Sequence, residues 1–116
     1  MLGAIQEILE RAGYRVRTAG NGKAGLEAFR ECQPDLIVSN IMMPLMDGHE
    51  FLKAVRKHPA GIKIPFIFVT AYGRREDVST ARSLGADDYL IKPIDSEELV
   101  IAVQARLRRF EELLGG

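Results

Sequence analysis

Three stretches of this 116-residue sequence place polar side chains directly after apolar runs. Ser39-Asn40 follows Leu36-Ile37-Val38, Thr70-Ala71 follows Ile64 to Val69, and Lys92-Pro93 follows Tyr89-Leu90-Ile91. If each run is a buried parallel strand, an amide, a hydroxyl and an ammonium converge at one rim, because α/β sheets gather function beyond the carboxyl ends of their strands. A neutral amide is a poor nucleophile, so the chemistry open to this trio is hydrogen bonding and charge. Other candidate centres are weaker. Gly20-Asn21-Gly22-Lys23-Ala24-Gly25 matches the spacing of a dinucleotide-binding turn, but Asn40 stands where that reading needs an acid at the end of the next strand. His49 and His58 fall on opposite sides of a predicted helix with no further ligand at metal spacing. Asp87-Asp88 are adjacent on an extended segment and face opposite ways, which excludes a paired-carboxylate catalyst. No G-x-S-x-G elbow and no phosphate-cradling Lys-Ser/Thr loop occurs, which argues against a hydrolase or an NTPase.

The elements that must position the trio alternate in period from end to end. Leu2, Ile5, Leu9 and Ala12 recur at helical spacing before Gly13. Tyr14, Val16 and Thr18 alternate with Arg15 and Arg17, the pattern of a strand with one wet face. Asn21 is a plausible N-cap for a helix carrying Leu26, Phe29 and Cys32 inward, closed by Pro34. After the Asn40–Gly48 loop, a helix buries Phe51, Leu52 and Val55 and turns Glu50, Lys53 and Arg56 outward, ending at His58-Pro59. Val78, Ala81 and Leu84 mark the next helix, stopped at Gly85. The last opens at Asp95-Ser96, with Glu97 and Glu98 near its positive end, and carries the stripe Leu99, Val103, Leu107, Phe110, Leu114. The order predicts four parallel strands joined by crossovers, with helices on both faces. No repeat or linker interrupts it, so residues 1–116 read as one domain.

Bulk composition narrows the partners. Lys+Arg and Asp+Glu both count 16, giving a formal net charge of zero and no global attraction to nucleic acid or an anionic membrane. The clusters Arg74-Arg75 and Arg106 with Arg108-Arg109 read as solvated helix faces. The single Cys32 excludes an internal disulfide and reads as a small buried or half-buried filler. No signal-like start or membrane-length apolar run is present, and the expectation is a cytoplasmic protein.

Taken in order, Pro34-Asp35-Leu36-Ile37, Met42-Met43-Pro44-Leu45-Met46-Asp47-Gly48, Val69-Thr70-Ala71-Tyr72 and Gly85-Ala86-Asp87-Asp88-Tyr89-Leu90-Ile91-Lys92-Pro93 resemble the receiver domain of bacterial two-component response regulators. The resemblance covers essentially the whole chain and implies a flavodoxin-like doubly wound sheet. It makes Asn40 the equivalent of the phosphoacceptor aspartate, Thr70, Ala71 and Lys92 the phosphoryl contacts, and Thr70 with Tyr89 the switch. Met42 becomes the residue whose backbone carbonyl joins the Mg²⁺ shell. It also implies partners among signalling proteins, a sensor histidine kinase or an output domain, contacted through the last two helices and the Tyr89 strand.

Two departures follow from the comparison with that pattern. Asn40 replaces the aspartate, either as a structural amide or as an isostere. The family's first strand, with its acidic pair, is absent from this sequence, so the chain reads as an N-terminally incomplete receiver. No Mg²⁺ or other cofactor is therefore expected, and no enzymatic activity. An interior strand is missing, so its place is taken by a segment ahead of Met1, by a neighbouring chain through dimerisation or strand exchange, or by closure of the two flanking strands. The leading expectation is a pseudo-receiver acting by protein contacts. The alternatives are a truncated or engineered phosphate-accepting regulator and, of a different class, a small nucleotide-binding enzyme using Gly20–Gly25.

Overall fold

A computed structural model describes residues 2–71 and 75–115, with side chains given for these except residues 2 and 110 and those from 113 on. Tyr72 and Arg74, and the side chains of Leu2, Phe110 and Leu114, therefore lie outside the described residues. The elements run α1 (Leu2–Arg11), α2 (Gly22–Glu31), β1 (Ile37–Asn40), α3 (Gly48–Lys57), a short 3₁₀ turn (Pro59–Gly61), β2 (Phe66–Thr70), α4 (Arg75–Ser83), β3 (Asp88–Ile91) and α5 (Ser96–Gly115).

The strands form a parallel sheet in the order β1-β2-β3. Every residue of β2 is buried, as a strand covered on both faces requires. Its pleat sends Phe66 and Phe68 to one face and Ile67 and Val69 to the other. The first pair packs with Leu26 and Phe29 of α2, with Phe51, Leu52 and Val55 of α3 and with Ala81 of α4. The second packs with Leu9 of α1 and with Leu99 and Val103 of α5. This is the doubly wound α/β architecture.

Local chemistry sets the element ends. Asn21 Oδ1 accepts from the Ala24 N–H at 2.8 Å and caps α2. Asp47 and Glu50 form a reciprocal capping box that starts α3. Gly13 and Gly85 take positive φ, 96° and 99°, where α1 and α4 give way to the next segment.

Four sequence expectations need correction. Residues 14–19 form no strand: Tyr14 and Val16 are half-buried and Arg15 and Arg17 exposed, but Thr18, expected to face inward, is exposed, and no ladder is made. The sheet thus has three strands where four were expected, and the flanking segments have not closed together. Cys32 is exposed, because it occupies the C-cap in an extended conformation and has left the helical period. Ala12, placed on the inner stripe of the first helix, is exposed because the helix has ended at Arg11. Arg56 does not point out. Its guanidinium donates to the carbonyls of Gly61 (2.8 Å), Ile64 (2.6 Å) and Gly85 (2.7 Å) and to Asp87 Oδ2 (3.2 Å), which also accepts from the Phe66 N–H. Burial pulls this guanidinium below its ordinary pKa, against the opposing charge and hydrogen bond of Asp87.

A cavity of about 700 Å³ lies between residues 14–19 and β1. It is partly open to solvent.

Candidate functional site

The rim is built by the carboxyl ends of the three strands. In the parallel register Asn40 stands opposite Val69, and Thr70 opposite Ile91, so Asn40, Thr70 and Lys92 follow one another across the sheet edge. The Lys92 backbone N–H donates to the Thr70 carbonyl at 2.6 Å, which carries the ladder one residue past β3 and fixes the origin of the lysine side chain. Lys92 Nζ then reaches across and donates to Asn40 Oδ1 at 2.9 Å. The amide and the ammonium expected to converge are in direct contact.

Thr70 is 6% exposed. Its side chain lies near enough to the Tyr89 phenol to influence its titration. Burial pushes the Tyr89 phenol above its ordinary pKa and the nearby charge of Asp77 adds to this, while the Thr70 hydrogen bond opposes both. Ala71 is exposed at the same rim, and Met42, in the loop after β1, is 76% exposed.

Gly48 keeps that loop close. A Cβ there would lie 2.3 Å from the Asn40 carbonyl oxygen and 2.8 Å from a Phe68 ring carbon, while the Gly48 N–H donates to the Ile41 carbonyl at 2.7 Å. The loop from Ile41 to Asp47 is thereby folded back onto the end of β1, and only glycine permits the approach. Leu45 takes a positive φ of 69° in this loop.

The remaining candidates resolve into packing. Gly22 abuts the Met46 carbonyl, 2.3 Å from where a Cβ would be, and Gly25 meets the Phe51 ring, so this glycine turn serves the α2–α3 approach. His49 stacks edge-on against Phe68 and His58 against Phe29. Asp87 is held by Arg56 and Asp88 by Arg106, at 3.2 and 2.6 Å. The hydrogen bond and charge of Asp88 raise the Arg106 pKa against partial desolvation. Sequence reasoning missed Arg56 and Arg106 as organising residues. Their only signal was an Asp-Asp pair with no other evident partner.

Mg²⁺ takes oxygen ligands in an octahedral shell and favours carboxylates. Among the described residues no cluster of three His, Cys, Asp or Glu side chains could hold a metal ion. At the rim the Asn40 side-chain oxygen faces an ammonium, which repels a dication. The donor set does not suit the ion.

Comparison with known proteins bears on the family. The model of the response regulator receiver domain matches residues 1–104. Transcriptional regulatory protein AfsQ1 of Streptomyces coelicolor is 40% identical over 108 residues, 93% of this chain and 47% of that protein. The chain thus spans about half the length of the curated relatives it matches. A response regulator receiver domain protein from Clostridium thermocellum superposes with a TM-score of 0.88 at 29% identity, covering 97% of this chain and 89% of that one. The receiver domain of sensor histidine kinase PA1611 from Pseudomonas aeruginosa, solved with a magnesium ion in its active site cleft, gives 0.85 at 26% identity, covering 91% and 87%.

Proposed function

The chain belongs to the response regulator receiver family of two-component signalling, and from that premise we propose that it signals through protein contacts without being phosphorylated. The observation that carries this reading is Asn40 at the rim, its amide oxygen held by Lys92 at 2.9 Å. Phosphoryl transfer to a side chain needs an available nucleophilic lone pair, activated by charge or by a base. A carboxamide oxygen is neutral, and its lone pairs are delocalised toward nitrogen. Among the described residues the rim also offers no carboxylate set for the metal that would neutralise the incoming phosphoryl group.

In place of a phosphoryl group, the chain's own polar groups occupy the switch. Lys92 bonds Asn40, and Thr70 lies near the Tyr89 phenol. On this reading the switch pair is coupled in the resting protein, and residues 1–116 act as one receiver-like unit whose output is set by what docks on it.

The docking face is that of α4, β3 and α5. Ile91 on β3 and Ile101 on α5 are 50% and 58% exposed, and Ile101 lines a groove with Asp88, Glu97, Arg106 and Arg109. An apolar centre with a polar rim is the anatomy of a transient protein interface. The occupant on this reading is a sensor kinase or an attached output domain. Among the described residues no helix is long and apolar enough to cross a membrane.

The test is incubation with acetyl phosphate, or with beryllofluoride, and Mg²⁺. Unchanged mass and unchanged melting temperature support the reading, and a covalent phosphoryl group on the chain refutes it. A second reading, an altered form of a phosphate-accepting receiver, is favoured by the survival of Thr70 and Lys92 beside Asn40. It requires that Asn40→Asp alone restore acceptance.

A further inference from the structure

Helix α4 is held by few apolar contacts. Of its nine residues only Ala81 is buried, whereas α3 buries Gly48, Phe51, Leu52 and Val55. The hydroxyls of Thr80 and Ser83 donate to the carbonyls of Glu76 and Ser79 one turn back, at 2.8 and 2.9 Å. Such bonds compete with the ladder of the helix itself. The seating of a helix so anchored depends on what fixes its ends.

Its C-terminal end is fixed from another helix. Arg56 follows the fully buried Val55 on α3, so the core sets where its side chain starts. Nη1 donates to the carbonyls of Gly61 and Ile64 in the α3–β2 connection, at 2.8 and 2.6 Å. Nη2 serves the α4–β3 turn, donating to the Gly85 carbonyl at 2.7 Å and to Asp87 Oδ2 at 3.2 Å. A Cβ on Gly85 would lie 3.1 Å from Arg56 Nε, so the guanidinium packs directly on this turn. Asp87 then clips β3 to β2 in both directions. Its N–H donates to the Phe66 carbonyl, and its carboxylate accepts from the Phe66 N–H, each at 2.8 Å. One guanidinium thus ties the α3–β2 connection to the α4–β3 turn and, through Asp87, to the start of both strands.

We propose that Arg56 is the positioning residue of the α4–β3–α5 face: it fixes where α4 ends and β3 begins, and α4 parts from the sheet as a unit when that hold is released. The consequence for docking rests on the reading that this face receives a partner; the hold itself does not. Arginine is required by its shape. A lysine keeps the charge but offers one compact ammonium in place of a fork, so it cannot serve both connections. The other end of α4 supplies a remote reporter. Asp77 stands about two helical turns ahead of Gly85. Burial pushes the Tyr89 phenol above its ordinary pKa, and the charge of Asp77 adds to this. Arg56 therefore governs a phenol on β3 through the seating of α4.

The experiment measures amide exchange, and the Tyr89 titration by NMR of ring-labelled tyrosine, in the parent chain and in Arg56→Lys. Exchange at Ala81 and Leu84 should quicken by about tenfold or more, while Leu52 and Val69 stay within about twofold of the parent. The Tyr89 pKa should fall. Asp77→Asn should lower it in the parent and add little in Arg56→Lys, because the charge has already left with α4. If Arg56→Lys does not fold, Asp87→Asn makes the same test. Its amide oxygen still accepts from the Phe66 N–H, but the charge that holds Nη2 is gone. An arginine with a general structural role would speed exchange throughout and leave the Asp77 effect at full size. Either of those results, or unchanged exchange in α4, overturns the proposal. No partner and no phosphoryl donor is present, so the outcome is separate from any failure of the docking reading.

Discussion

Replacing Asn40 by aspartate puts a carboxylate where the amide oxygen now meets Lys92 Nζ at 2.9 Å. At that separation the gross Coulomb attraction, with an effective dielectric of ~20, is about 6 kcal/mol. Both side chains are half-buried rather than dry. Screening by solvent and loss of hydration cancel most of the attraction, leaving a net gain of about 1 kcal/mol over the present contact. With a urea m-value near ~2 kcal/mol per M, the unfolding midpoint at pH 7 rises by about 0.5 M. The pH dependence fixes the cause. The ammonium holds the introduced carboxyl below its ordinary pKa of ~3.9, so the added stability is present above about pH 4 and is lost as pH falls through the folded-state value. Urea melts of Asn40→Asp and the parent at pH 7 and pH 2, each repeated in a Lys92→Met background, make the measurement. A variant less stable than its parent at pH 7, a gain that persists in acid, or a gain that survives loss of Lys92 would show that the contact does not govern the rim.

Other outcomes follow from the same geometry. Gly48→Ala drives a Cβ into the Asn40 carbonyl and the Phe68 ring; denaturant melts should show a loss of about 2 kcal/mol or more, the range of overpacked cores. Arg56→Met strands three carbonyls and the Asp87 carboxylate at the end of the sheet away from the rim, costing about 3–5 kcal/mol and, by amide exchange, loosening the Phe66 N–H most. The Tyr89 phenol, followed by its ultraviolet absorbance, should titrate above the ordinary ~10, and Asp77→Asn should bring it down. Because that phenol ionises less readily folded than unfolded, its contribution favours the native state below about pH 10 and fades as pH rises past that value.

How much of this was legible in the sequence depends on the range of the forces involved. The rim trio could be read because burial on both faces forces unbroken apolar runs, and each run ends at the residue that supplies the functional group. The Asn21 cap and the Gly13 and Gly85 stops were legible because they are local backbone chemistry. Arg56 was not. Periodicity put it on the polar side of α3, yet its long side chain folds back to carbonyls that come from segments 5 to 29 residues away. Cys32 was misplaced because it lies one residue beyond the helix whose period was extended to reach it. The alternation at Tyr14–Thr18 gave the correct faces through Arg17 but failed at Thr18, which is exposed, and made no ladder, since period 2 reports exposure whereas a strand needs a hydrogen-bonding neighbour. The expectation of incompetence at the rim came from Asn40 and from the missing acidic pair, and the structure places the Asn40 amide against Lys92.

The most direct measurement is the intact mass of the chain, followed by peptide mapping, after exposure to labelled acetyl phosphate and Mg²⁺. The account predicts the unmodified mass and no label in the Leu36–Met46 peptide. One phosphoryl group attached covalently in that peptide would contradict it.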